Sequence, residues 1–249
     1  MSISLDLKSV RYGKKTALSN IKMQLPDGTF TAVIGRNGSG KSTLAGALLS
    51  LLPYDGELSF DGVCVSDMTH VQRALAVSGI LQRPRAPHIT VRELAEYGRS
   101  PHIRFGGRIT PFDTREIERA LERASALEIH DKYLDSISGG ELKRAYFAML
   151  LSQDAKNVVL DEATASMDAD YESEFIKLSA ELAHSGGRTV VAVMHNLDLA
   201  VRYADYVLLL ESGQASFFGR TDELLKTELI ERAFNVKRVE TDGRIFFCS

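Results

Sequence analysis

The feature of this sequence that most restricts its fold is a glycine-rich run at residues 35–42, which reads Gly-Arg-Asn-Gly-Ser-Gly-Lys-Ser. Residues 30–34 precede it with the pattern of a buried strand, and residues 41 to about 52 follow with the pattern of a helix. In a strand–loop–helix unit, unhindered backbone amides and a helix N-terminus converge on one point, where they bind an oligophosphate. The run therefore predicts a phosphate-binding loop. Its spacing differs from Gly-x-Gly-x-x-Gly, which disfavours a dinucleotide-binding fold.

The residues of this loop have distinct expected contacts. Lys41 is expected to reach the β and γ phosphates of a nucleotide, and Ser42 is expected to bind Mg²⁺. A surface turn is the alternative, and the position of the run between a strand and a helix argues against it. The other predicted nucleotide-binding residues of this segment are Gly35, Asn37, Gly38, Ser39, Gly40 and Thr43.

Strand and helix patterns alternate along most of the chain. Strand patterns occupy residues 3–10, 30–34, 57–60, 76–81, 157–160, 189–194 and 206–210, and helix patterns occupy 168–184 and 197–203. The strands at 158–160 and 190–194 are continuously apolar, as strands covered on both faces by crossover helices are, so a parallel sheet is predicted. Residues 91–152 carry a helical pattern, clearest at 113–126. The predicted fold class is α/β, with a helical lobe inserted into a parallel-sheet ATPase core.

Prolines at positions 84, 87 and 101 mark the start of the helical lobe. The chain is predicted to form a single domain, 1–249, in which residues 1–83 and 153–249 make the core and residues 84–152 make the helical subdomain. The last forty residues, with a hairpin pattern at 206–218, are expected to be accessory structure packed beside the core.

Composition limits the partners and the compartment. The 249 residues carry 33 acidic and 30 basic side chains, a net charge of −3, so no overall positive field favours nucleic acid. Cys64 and Cys248 lack the spacing of a disulfide framework or a zinc site, which fits reduced thiols in the cytosol. No apolar run reaches the length that spans a bilayer, and the N-terminus lacks the pattern of a signal peptide. A membrane role is therefore expected to come through a partner.

Two adjacent carboxylates follow the apolar strand at 158–160. Asp161 can hold Mg²⁺ through water, and Glu162 can polarise an attacking water. Without a phosphate loop, such a pair is as often a helix cap or part of a solvated loop. With the loop present, the pair is predicted to be the metal-binding and catalytic acidic pair.

Residues 137–141 read Ile-Ser-Gly-Gly-Glu. Ser138 can cap a helix that runs to about Ser152, but a cap does not explain both Gly139 and Gly140, which let backbone amides approach an anion closely. The run resembles the signature of the ABC family, Leu-Ser-Gly-Gly-Gln or Glu. The resemblance implies an ABC nucleotide-binding domain: a P-loop ATPase core with a mostly parallel sheet, an antiparallel β subdomain and an inserted α-helical subdomain. It also implies that Ser138, Gly139 and Gly140 contact ATP held by a second copy of the chain.

Further matches extend the resemblance. The pair Asp161–Glu162 is similar to the Walker B motif with its catalytic base. Gln82 resembles the family's Q-loop glutamine, which touches Mg²⁺ and the attacking water, although an isolated Gln at a strand end carries no signal. Residues 166–168, Ser-Met-Asp, resemble the D-loop at the dimer interface, and Asp168 can also cap the following helix.

Two more residues match family positions near the nucleotide. His195 follows the strand at 190–194 and resembles the switch histidine that contacts the γ-phosphate, whereas a lone His at that place is usually structural. Tyr12 matches the aromatic residue that stacks on adenine, whereas an ordinary Tyr would lie in the core or on the surface. The resemblance thus implies ATP and Mg²⁺ as cofactors.

The sequence departs from the family pattern at two places. Ala163 stands where the family often has Pro, and Lys143 precedes Arg144 where Gln-Arg is more usual. Neither departure removes a group needed for hydrolysis.

The lobe indicates which branch of the family the chain resembles. Only about fifty residues without sustained heptads separate Gln82 from Ser138, unlike the long coiled coils of chromosome ATPases. The segments at 91–94, 98–102 and 234–239 resemble the ATPases of bacterial importers for iron-siderophore complexes, haem and cobalamin. The implied function is ATP hydrolysis coupled to uptake of an iron-siderophore or related metal chelate. Another importer, an exporter, a soluble nucleic-acid-linked ABC ATPase and a small-molecule kinase are the alternatives.

The resemblance also implies partners and a location. These are a second copy of the chain, an integral membrane permease and, indirectly, an extracytoplasmic solute-binding protein, with no nucleic acid expected; the location is the cytoplasmic face of the inner membrane. A cluster of basic residues on the lobe is either a solvated face or a surface for the permease or anionic lipids. Its members are Arg99, His102, Arg104, Arg108, Arg115 and Arg119.

Overall fold

The computed structural model describes residues 3–104, 106–164, 167–241 and 243–248. The strands are β1 Ile3–Tyr12, β2 Lys15–Leu25, β3 Phe30–Ile34, β4 Tyr54–Phe60, β5 Val63–Cys64, β6 Val77–Ile80, β7 Asn157–Asp161, β8 Thr189–Val193, β9 Tyr206–Glu211, β10 Gln214–Arg220, β11 Lys237–Thr241 and β12 Arg244–Cys248. The α-helices are α1 Lys41–Leu48, α2 His70–Ala76, α3 Val91–Gly98, α4 Pro111–Arg123, α5 Gly139–Gln153, α6 Ala169–His184, α7 Leu197–Tyr203, α8 Thr221–Leu224 and α9 Leu229–Phe234.

A six-stranded sheet in the order β10-β9-β3-β8-β7-β6 lies at the centre of the molecule. The pairs from β9 to β6 are parallel, and β10 alone pairs antiparallel with its neighbour β9. Every residue of β3, β7 and β8 is buried, because helices cover both faces of a parallel sheet. The predictions of an α/β class and of a mostly parallel core are confirmed.

A second, antiparallel sheet in the order β2-β1-β4-β5 contains the N-terminus of the described chain. Its first strand alternates buried and outward residues, which the sequence predicts correctly. The sequence analysis missed β2, where Asn20 adopts a left-handed φ of 53° and the buried residues Leu18 and Ile21 are three positions apart. This irregularity breaks the period of two by which a strand is recognised.

Helix α1 ends at Leu48, four residues before the predicted end. Ser50 adopts a left-handed φ of 55°, and the N–H of Leu51 donates to the carbonyl of Gly46 at 2.8 Å, which closes the last turn. The apolar pattern that continues to position 52 therefore lies beyond the helix, where Leu49 and Leu52 pack against the core and Leu51 is exposed.

Helices α3, α4 and α5 form a layer between β6 and β7 in the chain. Each begins with a capping box, in which a Ser or Thr and an acidic residue three positions later satisfy the first backbone N–H groups. The apolar face predicted for α4 is buried as expected, and α5 starts after Ser138 as predicted. The layer shares one hydrophobic cluster with the central sheet. The subdomain boundaries at 84 and 152 stay a prediction.

Arg99 does not belong to the basic cluster that the sequence analysis drew on this lobe. Its side chain is 3% exposed and donates to Asp113 Oδ1 at 3.0 Å and to the Ser152 carbonyl at 2.9 Å. The Arg99–Asp113 pair could not be predicted from sequence spacing, because Asp113 lies fourteen residues away on another helix. Arg119 is exposed but paired with Glu116.

The expectation that the last forty residues are accessory is wrong for their first part. Strand β9 pairs in parallel with β3 inside the central sheet, and β10 returns beside it as the predicted hairpin. The hairpin β11–β12 forms a separate two-stranded sheet, joined to α7 by a hydrogen bond from the Phe247 N–H to Asp198. Within the described ranges, the helices are too short or too polar to cross a membrane.

Asp113→Asn is expected to destabilise the fold strongly, because it leaves the Arg99 guanidinium buried without its counter-charge. Removing one partner of a buried ion pair costs about 3–5 kcal/mol. Glu116→Gln on the same helix breaks an exposed pair and should cost no more than about 0.5 kcal/mol. Denaturant midpoints of the two variants measure the difference; equal midpoints would contradict the structural assignment.

Acid unfolding should also reveal the contribution of the Asp113 carboxylate to stability. Hydrogen bonds from the hydroxyl and N–H of Thr110, together with Arg99, lower the pKa of Asp113 to about 2. The stabilisation is thus present above about pH 4, the range of an unfolded Asp, and is lost as the pH falls toward 2. The wild-type chain should lose stability over this interval more steeply than Asp113→Asn, as followed by circular dichroism.

Candidate nucleotide-binding site

The loop between β3 and α1 is wound around the ammonium group of Lys41. This side chain is only 4% exposed, and its Nζ donates to the carbonyls of Gly35 at 2.8 Å and Arg36 at 3.2 Å. Burial lowers the pKa of Lys41, and the charges of Glu162 and Asp161 oppose that shift. The ammonium thus organises the loop while one of its three N–H groups is left for a phosphate oxygen.

The N-terminus of α1 differs from those of α2 to α5. Gly40 occupies its N-cap, so no side chain accepts the first N–H groups, and its first turn has no acidic residue. By contrast, α2 to α5 each have a capping box. An uncapped helix end with a partial positive charge fits an anionic ligand. The loop therefore suits an oligophosphate.

Ser42 and Asp161 bring two oxygen atoms together beside the loop. The Ser42 Oγ donates to Asp161 Oδ1 at 2.9 Å, which joins the start of α1 to the end of β7. Burial raises the pKa of Asp161, and its hydrogen bonds from Ser42 and from the Gln82 N–H lower it. A hydroxyl beside a carboxylate is a donor set that Mg²⁺ prefers.

Glu162 is held from two sides by other predicted site residues. Gln82 Nε2 donates to Glu162 Oε2, and His195 Nε2 lies 2.7 Å from Glu162 Oε1. Glu162 also adopts a left-handed φ of 47°, which is a strained backbone for this residue type. The structure thus places the carboxylate, the amide and the imidazole together at the ends of β7, β6 and β8.

These groups open into a cleft of about 620 Å³. The ring of Tyr12 is 51% exposed at the edge of this cleft. The other predicted site residues that line it are Asn37, Gly38, Gly40, Lys41, Ser42, Thr43, Gln82, Glu162 and His195. Gly35 and Ser39 lie behind this surface, and a Cβ on Gly35 would come within 2.3 Å of the Leu210 carbonyl oxygen.

The structure does not bring the signature residues into this cleft. Ser138, Gly139, Gly140 and Asp168 line a separate cavity of about 280 Å³ between the helical layer and α6. Asp168 holds the N-cap position of α6, but its side chain makes no capping hydrogen bond, so the capping interpretation is wrong for the side chain. Ser166, predicted as part of the same interface loop, lies outside the described residues.

Sequence reasoning missed the turn between β9 and β10 as part of the site. Ser212 and Gly213 line the cleft, as do residues 15–17. The Gly213 N–H donates to the Ser39 carbonyl at 3.0 Å, and the Gly213 carbonyl accepts from the Ser19 N–H at 2.9 Å. The sequence indicated the hairpin, but no local signal shows that its turn braces a loop far earlier in the chain.

A phosphate loop, a hydroxyl–carboxylate pair and a second carboxylate held by an amide and an imidazole, all at the ends of parallel strands, define a P-loop nucleoside-triphosphate hydrolase. Comparison with known proteins identifies the family within this class. The family model described as ABC transporter matches residues 18–165. The chain belongs to the ABC transporter family, and it is an ATP-binding transport ATPase.

Individual relatives agree with this membership, and a solved structure shares the fold. The ferric enterobactin transport ATP-binding protein FepC of Escherichia coli (strain K12) is 35% identical over 94% of this chain and 87% of that protein. The petrobactin import ATP-binding protein YclP of Bacillus subtilis (strain 168) is 33% identical over 92% of this chain and 90% of that protein. A solved inward-facing structure of a metal-chelate type ABC transporter gives a TM-score of 0.82 at 23% identity, over 99% of this chain and 96% of that chain.

Gly213→Ala is expected to weaken ATP binding about tenfold, equivalent to about 1.4 kcal/mol, because the turn must move away from the loop it braces. An added Cβ would lie 2.4 Å from the Ala17 carbonyl oxygen. Gly62→Ala is the matched control, since Gly62 has nearly the same φ, 79° against 81°, and open space around it. Titration with a fluorescent ATP analogue compares the variants; equal affinities would contradict the bracing role.

Proposed function

We propose that this chain is the ATP-hydrolysing subunit of an importer that takes up an iron-siderophore or related metal chelate through a membrane permease. The observation that carries the hydrolytic part is Glu162, held by Gln82 and His195 at the cleft that also contains Lys41 and Ser42. The relatives' names support the cargo class, since they are a ferric enterobactin and a petrobactin ATP-binding protein.

Nucleotide binding is proposed to use both edges of the cleft. The exposed ring of Tyr12 offers a stacking face for adenine, and the loop 35–42 with the uncapped start of α1 offers N–H donors for the phosphates. The remaining N–H of Lys41 is directed to the β and γ phosphates.

Magnesium is proposed to be held by Ser42 and Asp161, whose oxygens lie 2.9 Å apart, together with Gln82, whose side chain contacts the neighbouring Glu162. When bound, Mg²⁺ neutralises charge on the phosphate oxygens. The Ser42–Asp161 hydrogen bond holds the two ligands close together beforehand.

Glu162 is proposed to orient the attacking water and to accept its proton. Gln82 and His195 hold the carboxylate at its two oxygens, which fixes its orientation at the cleft. His195 and Lys41 then stabilise the negative charge that develops on the transferring phosphoryl group. Product is ADP and phosphate, with no phosphorylated acceptor.

A second copy of the chain is proposed to complete each site. A Cβ on Gly139 or Gly140 would meet no atom within 4 Å, so packing within the described chain does not demand glycine there. Close approach of an external group explains both residues, and N–H groups at the start of α5 suit the γ-phosphate bound by the other copy. Asp168 lies beside them and is proposed to cross the same interface.

The permease is proposed to dock beside Gln82. A groove of about 590 Å³ lies there, between the core and the helical layer. Leu51 and Leu81 are exposed at its edge, and Arg73, Arg83 and Arg85 add positive charge. The net charge of −3 supports a protein partner rather than nucleic acid. This assembly would place the chain on the cytoplasmic face of the inner membrane, with a solute-binding protein acting on the other side.

Glu162→Gln is expected to lower kcat by about 10²–10⁴-fold, the range typical for loss of a general base, with ATP affinity retained. Lys41→Ala should lose both affinity and turnover. Glu118→Gln, on the exposed face of α4, serves as the charge-matched control and should match wild type. Phosphate release and ATP binding measure the two effects; a Glu162→Gln chain with wild-type turnover would refute this role.

The transport assignment is tested by affinity capture from membranes of the source cells with tagged Glu162→Gln chain and ATP. Recovery of a polytopic permease, with an iron-chelate binding protein encoded for the same system, supports the importer. Recovery of a haem, cobalamin or export permease changes the cargo, and recovery of soluble nucleic-acid proteins alone overturns transport.

A further inference from the structure

Lys143 is a buried cation to which the proposed hydrolysis gives no role. It lies in α5, five residues after the cap Ser138, and its side chain is only 5% exposed. The sequence analysis found it where the ABC family more usually has a neutral Gln. A buried lysine is costly unless its charge is compensated and its donors are satisfied. The contacts around Lys143 must therefore compensate a positive charge that a glutamine would not carry.

The ammonium of Lys143 contacts the backbone of the Q-loop. Its Nζ donates to the Gln82 carbonyl at 2.8 Å, and the Leu81 carbonyl lies at 3.4 Å. The N–H of Gln82 donates to the Asp161 carboxylate, and the Gln82 side chain donates to Glu162. Gln82 is therefore held at its carbonyl, its N–H and its side-chain amide.

Opposite charges meet the Gln82 backbone from its two sides. Lys143 donates to the Gln82 carbonyl and also lies 3.4 Å from the Leu81 carbonyl, while Asp161 lies at the Gln82 N–H. The Leu81 carbonyl and the Gln82 N–H belong to the same peptide group, so the two opposite charges polarise that group in the same sense. Burial lowers the pKa of Lys143, and the carboxylates of Asp161 and Glu162 oppose that shift, so the acidic pair compensates the buried ammonium. A neutral Gln could donate to the carbonyl but could not make this charge pair.

The two ends of this link belong to different layers. Lys143 belongs to α5, whose first residues are Gly139 and Gly140, while Asp161 ends the core strand β7. The lysine thus ties the signature helix to the residue that holds Glu162. An exposed lysine such as Lys177, whose side chain is 64% exposed on α6, makes no such connection in the described structure.

We propose that Lys143 is a positioning residue for ATP hydrolysis, which fixes Gln82 against Glu162 through a charge-assisted contact from the signature helix. This inference rests on the proposed hydrolytic role of Glu162. It adds that the helical layer controls the orientation of Gln82 through one ammonium group.

Hydrogen exchange tests the contact without any nucleotide. Lys143→Met removes the charge and the donors at similar volume, and it should raise amide exchange in a peptide covering residues 79–86. Lys143→Gln keeps one donor and should raise it less, and it remains available if the Met variant fails to fold. Lys177→Met should leave this peptide unchanged. Unchanged exchange in both Lys143 variants would overturn the contact.

Kinetics test whether the contact positions the reaction. Lys143→Met should lower kcat about 10–100-fold, as loss of an outer-shell partner commonly does, while KM for ATP changes less than about twofold. In a Gln82→Ala background the same substitution should lower kcat less than about threefold, because its target side chain is gone. Fully additive losses, or a changed KM with normal kcat, would overturn the positioning role. A wild-type chain without ATPase activity would instead refute the proposed function and leave the exchange result to stand.

Discussion

The buried ammonium of Lys41 is the interaction on which the rest of the site depends. Its Nζ donates to the carbonyls of Gly35 and Arg36. In a trans peptide the carbonyl and the N–H of the next residue point in opposite directions, so the N–H groups that follow these two carbonyls point away from the lysine. A loop built this way needs outside support. The packing of Gly35 against β9, the Gly213 hydrogen bond to Ser39 and the burial of α1 supply it. Tertiary contacts therefore determine the shape of the loop.

The second constraint is that one glutamine connects the two layers of the molecule. Gln82 follows β6 and touches the acidic pair at the end of β7, while Lys143 reaches its carbonyl from α5. A movement of the helical layer must therefore alter either this contact or the position of Glu162. The same layer carries Ser138 and borders the groove proposed for the permease. In the proposed assembly, these charge-assisted contacts would link hydrolysis to movement of the permease.

Local sequence signals predicted the elements that local physics determines. Continuous apolar runs indicated the buried strands β7 and β8, and Ser138 as a capping residue marked the start of α5. Resemblance to the ABC family supplied Gln82 and His195, which have no local signal of their own. The burial of Arg99, the bracing turn at Gly213 and the Lys143 contact could not be predicted, because each depends on a partner that only the folded chain brings close.

Each ATP site is proposed to be completed by the signature residues of a second copy. The most direct measurement is the specific ATPase activity of the purified chain as a function of its concentration at saturating ATP and Mg²⁺. Shared sites predict an activity per chain that rises with concentration and levels off when dimers dominate. An activity per chain that stays constant down to concentrations where sedimentation shows a single copy of 27.4 kDa would contradict the account.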